Sequence, residues 1–357
     1  MPDLRVLFLE AGKQTAAEVA TQLAHFITGA SHSLDLALYD VHLSGHARDI
    51  LIGALQERQR GGVPVRICYD SGDNTKRAYD RGAEPPTTQT GKFLATTGLP
   101  SKAIASQMDL MHHKYIIRDA GTPQAAVCTG SSNYTDASWT LQENNILFLP
   151  SAELARFYSC DFEELWKTAD ITTTGDDDTG YVTLQYAGTP APATVAFSPG
   201  EGDWIEGYIT ECLTKAQREV TLGFAVLTST RILKALGGLI ERGVPIDGVY
   251  DQTQMEGVFY QWSLVPQNNW KIPAFHQLVE YAHLAGKHSI PWSATSIHDF
   301  MHNKLMVVDD TVITGSYNFS RSAQANAENV LLIQNAALAA DYRAYLRRLA
   351  ARYGQAG

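Results

Sequence analysis

Met301-His302-Asn303-Lys304-Leu305-Met306-Val307-Val308-Asp309 sets an imidazole, an ammonium and a carboxylate along a stretch whose apolar residues suit a strand. Six residues on comes Gly315-Ser316-Tyr317-Asn318-Phe319, and then Glu328-Asn329. The same set occurs upstream: His112, Lys114 and Asp119, then Gly130-Ser131-Ser132-Asn133, then Glu143-Asn144. In both copies His to Lys is two residues, Lys to Asp five, Gly to Asn three and Gly to Glu thirteen. A chain that writes such a set twice is expected to build one site from two halves.

Working outward, the repeat extends beyond the motifs. Val6-Leu7-Phe8-Leu9 has a counterpart in Val195-Ala196-Phe197-Ser198-Pro199. Helical patterns follow at Glu18 to Thr28 and Trp204 to Ala216, then apolar runs at Leu34 to Tyr39 and Val220 to Val226. Second helices, Ile50 to Arg60 and Ile232 to Arg242, each end in Gly-Val-Pro, a helix stop signal. Strands closing in Tyr-Asp come next, at Val65 and Ile246. Each half therefore reads β-α-β-α-β before its histidine, which predicts an α/β fold with a mixed sheet and helices on its faces. Period two puts His and Lys of each H-x-K on one face of a strand. The expected division is a first half over 1–170, a linker over 171–193 and a second half over 194–357. Asp176-Asp177-Asp178 lacks the ligand spacing of a calcium loop and reads as solvated connector.

With 45% hydrophobic and 18% charged residues the chain is globular, and its net charge of −10 opposes a surface that coats polyanions generally. No apolar run reaches the roughly 18 residues of a membrane span, and no signal peptide is evident at the N-terminus. Cys68, Cys128, Cys160 and Cys212 are scattered without C-x-x-C spacing, so free thiols in a reducing cytoplasm are expected. Segments 73–108 and 252–301 immediately precede the two histidine motifs and are expected to hang over the site. The second carries Trp262, Trp270, Phe275, Trp292 and Phe300, which either pack the excursion down or face a substrate.

The doubled set suits phosphodiester cleavage. One imidazole can attack phosphorus while a second, protonated, supplies the leaving alcohol with its proton. Glu143 and Glu328 are candidates to orient the rings at the far nitrogen. Lys114 and Lys304 place charge where the phosphoryl group transfers, with Asn133 and Asn318 as amide donors. This inventory calls for no metal and no cofactor.

H-x-K-x-x-x-x-D followed by G-S-x-N, present twice, resembles the phospholipase D superfamily, over nearly the whole chain from about Val6 to Leu349. The resemblance implies a pseudo-twofold α/β sandwich with one active site at the seam, a phosphohistidine at His112, and His302 as general acid. It also implies Lys114, Asn133, Lys304 and Asn318 gripping the phosphate, with Asp119, Asp309, Ser131 and Ser316 in support. One chain with both motifs suffices for a site as a monomer. The wording Gly315-Ser316-Tyr317-Asn318-Phe319-Ser320-Arg321 is similar to a compact bacterial endonuclease branch, so DNA or RNA is the favoured substrate. The alternative is a phospholipase D or cardiolipin-synthase-type phosphatidyltransferase acting on phospholipids. A catalytically idle scaffold is disfavoured, because both His and both Lys are intact.

Overall fold

Residues 2–72, 87–105, 109–176, 178–293 and 296–354 are described by a computed structural model. The first half runs β1 (Arg5–Leu9), α1 (Ala16–Thr28), β2 (Leu34–Leu38), β3 (Val41–His42), α2 (Gly45–Arg60), β4 (Val65–Asp70), α3 (Thr87–Ala95), β5 (Ser101–Ile104), β6 (Lys114–Arg118), β7 (Ala126–Gly130), β8 (Tyr134–Thr135), α4 (Asp136–Thr140), β9 (Asn144–Leu149) and α5 (Ala152–Thr168). The second runs β10 (Gly180–Tyr186), β11 (Thr189–Ser198), α6 (Gly202–Lys215), β12 (Val220–Phe224), α7 (Thr230–Glu241), β13 (Ile246–Asp251), α8 (Gln252–Ser263), α9 (Lys271–Ala282), β14 (Ala285–Lys287), β15 (Lys304–Val308), β16 (Thr311–Gly315), β17 (Glu328–Gln334) and α10 (Ala336–Tyr353).

The sheets are ordered β1-β9-β7-β6-β2-β4-β5 and β10-β11-β17-β16-β15-β12-β13-β14. Apart from β10 they correspond strand for strand. Each is mixed: β2 and β12 pair in parallel with β4 and β13 on one side, and antiparallel with the histidine strands β6 and β15 on the other. Every residue of β2, β7, β12 and β15 is buried, so both sheet faces need cover. Along β15, Leu305 and Val307 face an inner core shared with α5, α10 and the other half, while Met306 and Val308 face an outer core with α6 to α9. Tyr115 and Ile116 divide in the same way in the first half. The inner core draws on both sheets, which brings the two motif strands together.

One expectation needs correction. The segment 171–193 is not all linker, because Gly180–Tyr186 and Thr189–Ser198 pair as the edge hairpin of the second sheet. Val182 and Leu184 point inward and Tyr181 and Thr183 outward. The excursion over 252–301 is mostly helical, and Trp262, Phe275 and Phe300 are buried as packing, whereas Tyr260, Trp270 and Trp292 stay exposed. Of the basic residues in 73–108, Lys76, Arg77 and Arg81 lie outside the described residues, whereas Lys92 is on α3 and Lys102 on β5.

Candidate active site

Each motif strand is docked on the opposite half by its own backbone. The His112 amide donates to Ala327 O at 2.8 Å, and the His302 amide donates to Glu143 O at 3.1 Å. Asp70 and Asp251, the last residues of β4 and β13, accept from the amides just before each histidine, Met111 at 2.7 Å and Met301 at 2.8 Å. The glycines opening the G-S turns sit against the following strand. A Cβ on Gly130 would meet Asn145 O at 2.1 Å, and one on Gly315 would meet Asn329 O at 2.3 Å. Their φ values of +151° and +143° also favour glycine.

The rings are held from across the seam. His112 Nδ1 lies 2.7 Å from Glu328 Oε2, and His302 Nδ1 lies 3.1 Å from Asn144 Oδ1. Neither half completes its own histidine. The counterpart of Glu328 is therefore Asn144 and not Glu143. Register shows why: Ser131 N donates to Asn145 O and Ser316 N to Asn329 O, which aligns Asn145 with Asn329 and Asn144 with Glu328. Glu143 falls opposite Ala327 and does not reach His302. Its carboxylate is buried in an ion pair with Lys287 at 2.5 Å, and it accepts from the Tyr353 hydroxyl and the Ala11 amide. Spacing from the glycine, thirteen in both halves, does not carry the register through the intervening loop.

Lys114 Nζ and Lys304 Nζ each donate to the carbonyl of their own histidine at 2.6 Å and are almost wholly buried. Burial pulls Lys114 down to about 7, against Glu328, Asp40 and Asp70. Burial and Lys114 hold Lys304 well below the usual lysine range. His112 is pushed down by burial, Lys114 and Lys304, and His302 by burial, Lys304, Lys114 and His112. Burial also raises Glu328, to about 7, against the two lysines. Four basic groups, all pushed toward their neutral forms, thus crowd beside Glu328, an environment that favours an anionic guest. Asn133 and Asn318 are half-buried, and Asn133 Oδ1 is buried with no hydrogen-bond partner among the described residues.

The remaining motif residues sit behind the site. Ser131 donates to Asn144 Oδ1 at 2.8 Å, and Ser316 accepts from the Asn329 amide at 2.9 Å. Asp119 and Asp309 lie at the far ends of β6 and β15. Each caps backbone amides before β2 or β12, among them His32 at 2.6 Å and Arg218 at 2.8 Å. Asn144, Asp70 and Asp251 were not singled out from sequence. The Tyr-Asp strand endings were visible, but nothing local tells that the carboxylate reaches an amide some forty or fifty residues on. Tyr39, whose ring centre lies 4.8 Å from that of His112, also escaped notice.

A family model described as cardiolipin synthase, PLD-like domain, matches the chain twice, over residues 23–166 and 209–350. Mitochondrial cardiolipin hydrolase of Xenopus laevis is 31% identical over 147 residues, which are 41% of this chain and 60% of that protein. Phospholipase D of Rickettsia typhi (strain ATCC VR-144 / Wilmington) is 27% identical over 151 residues, 42% of this chain and 63% of that protein. The chain thus spans less than two thirds of the length of these relatives. Among solved structures, phosphatidylserine synthase of Haemophilus influenzae Rd KW20 superposes with a TM-score of 0.66 over 98% of this chain and 86% of that one, at 14% identity, a likeness of fold. Two family matches that together cover most of the chain, on a fold repeated strand for strand, make this protein a member of the phospholipase D superfamily with two cardiolipin synthase, PLD-like domains.

Proposed function

We propose that the protein is a phosphodiesterase of phospholipids that works through a phosphohistidine at His112. The observation that carries this reading is the pairing of His112 Nδ1 with the Glu328 carboxylate at 2.7 Å, which leaves Nε2 as the nucleophilic nitrogen. His302 gives the leaving alcohol its proton and later takes one from the attacking water or alcohol. Lys114 and Lys304 hold the phosphoryl oxygens, and Asn133 and Asn318 donate amide protons to them. No step of this scheme calls on a metal.

Two observations favour phospholipid. The relatives with matching sequence are named for cardiolipin and phospholipid chemistry. The excursion that leads into His302 also exposes Tyr260, Leu264, Trp270, Ile290, Trp292 and Ile297, surface suited to acyl chains and the bilayer interface. It joins the site's rim, since Lys271 donates to Thr228 O at 3.0 Å and the Thr228 amide donates to Phe319 O at 2.9 Å. The preference for nucleic acid drawn from motif wording finds no support in the family description or the relatives' names.

The test offers vesicles of phosphatidylcholine, phosphatidylglycerol and cardiolipin beside plasmid and single-stranded oligonucleotide, each with excess EDTA. Expected is release of headgroup from vesicles, abolished in His112→Ala with its thermal melt intact. His302→Ala is expected to recover in part on a nitrophenyl diester, whose leaving group needs no proton. Cleavage of nucleic acid alone overturns the lipid reading, and turnover of no diester overturns the phosphodiesterase reading.

A further inference from the structure

The two histidines are oriented alike, but by partners of different charge. Glu328 offers His112 a carboxylate, and Asn144 offers His302 a neutral amide oxygen from the equivalent position. The amide orientation is fixed independently of the ring. Asn144 Nδ2 donates to Ser138 O at 3.2 Å and to Gln142 Oε1 at 3.2 Å, while Oδ1 accepts the Ser131 hydroxyl at 2.8 Å. Only Oδ1 is left for His302, so the ring carries a proton on Nδ1 and turns Nε2 to the site. In the second half Asn326 takes the place of Gln142 and donates to Glu328 Oε1 at 3.1 Å.

We propose that Asn144 is the positioning residue that reserves His302 for proton transfer, by orienting the ring without stabilising its cation. This inference rests on the phosphohistidine reading above. In the first step the Nε2–P bond to His112 forms, the bond from phosphorus to the leaving oxygen breaks, and the proton on His302 Nε2 passes to that oxygen. In the second, water oxygen bonds to phosphorus, the P–N bond breaks, and the water proton returns to His302 Nε2. His112 stays cationic throughout the covalent state and gains from a carboxylate. His302 must release its proton, and a carboxylate would hold it back. The titratable groups facing His302 are Lys304 on its own strand, Lys114 and His112 from the first half, and His298 in the preceding loop. All four oppose its cation, and Asn144 adds no charge to counter them. The Glu328 carboxylate is bonded to His112 instead.

The test installs the missing charge in the full chain by two routes. Asn144→Asp is isosteric, and Gln142→Asn with Asn144→Glu copies the Asn326–Glu328 pair into the first half. Imidazole titration is followed by NMR of the resting protein, and kcat/KM is followed across pH on a soluble diester. Expected in either variant is a rise of roughly 1–3 units in the His302 titration. The basic limb of kcat/KM, which requires protonated His302, moves up with it, and the maximal rate falls. A residue that merely fills space would lower the rate with both titrations unmoved, and that result overturns the proposal. So does a phosphoryl group found on His302 after acid quench of the wild type, a readout that needs neither variant to fold. The NMR titration needs no turnover, so absence of diesterase activity defeats the reading of function without deciding the role of Asn144.

Discussion

Replacing Glu328 with Gln separates two contributions to the His112 pair. The first is charge. With carboxylate and ring centre about 4–5 Å apart and an effective dielectric near 20, the attraction for the cationic ring is about 3–4 kcal/mol, or on the order of 10²- to 10³-fold in rate. The second is orientation. Asn326 Nδ2 donates to Glu328 Oε1 at 3.1 Å, and Asn326 Oδ1 accepts the Leu110 amide at 3.0 Å, so Asn326 cannot turn over without losing that bond. A glutamine amide at 328 has one carbonyl for two donors. If it turns its oxygen to Asn326, its NH₂ faces His112 and drives the ring proton to Nε2, the nucleophilic position. Losing the correct tautomer costs on the order of 10⁴-fold. The expected fall in kcat/KM is therefore roughly 10³- to 10⁴-fold with the thermal melt nearly unchanged. Adding Asn326→Asp gives the glutamine NH₂ an acceptor, restores the tautomer, and is expected to recover about tenfold or more. Glu328 is held at about 7 by burial, and only its ionised form accepts the His112 proton, so wild-type activity rises through that pH and the single variant loses this limb. Initial rates on a soluble diester across pH decide the matter. A variant within about tenfold of wild type, or one that keeps the acidic limb, refutes the reasoning.

Other outcomes can be stated more briefly. Glu143→Gln leaves the buried Lys287 ammonium without its carboxylate and is expected to cost about 3 kcal/mol of stability in urea unfolding. Its kcat/KM should change only a few-fold, and a loss matching that of Glu328→Gln would return Glu143 to the catalytic machinery. Sulfate binding at neutral pH should take up protons, because Lys114 is pulled down to about 7 and the anion raises it and its basic neighbours. Calorimetry in buffers of differing ionisation enthalpy reads the sign, and proton release would contradict the crowded-cation account. Gly315→Ala combines a φ of +143° with a Cβ 2.3 Å from Asn329 O and is expected to cost about 3 kcal/mol, seen as a lower melting temperature.

The doubled spacing was legible because its polar residues stand out against apolar strands. Period two then placed His112 with Lys114 and His302 with Lys304 without further information. Cross-seam register was not legible. In the first half α4 (Asp136–Thr140) lies between the G-S turn and β9, whereas the second half has only a short turn of 3₁₀ helix at Arg321–Gln324. Equal counts from glycine to glutamate then end one residue out of register, and a strand shifted by one residue turns its other face inward. The edge strand β10 was hidden by its neighbours. Val182 and Leu184 alternate with exposed residues as a half-buried strand should, but the aspartates just before them read as connector.

One feature of the seam bears on how such a site can change over generations. Two identical chains meeting about an axis must present the same residue behind both rings, so every substitution there arrives twice. Here the residues behind the rings, Asn144 and Glu328, belong to one polypeptide and are inherited separately. Selection on this chain can therefore make one imidazole a better nucleophile and the other a better acid, a specialisation closed to any assembly in which the same codon writes both sides.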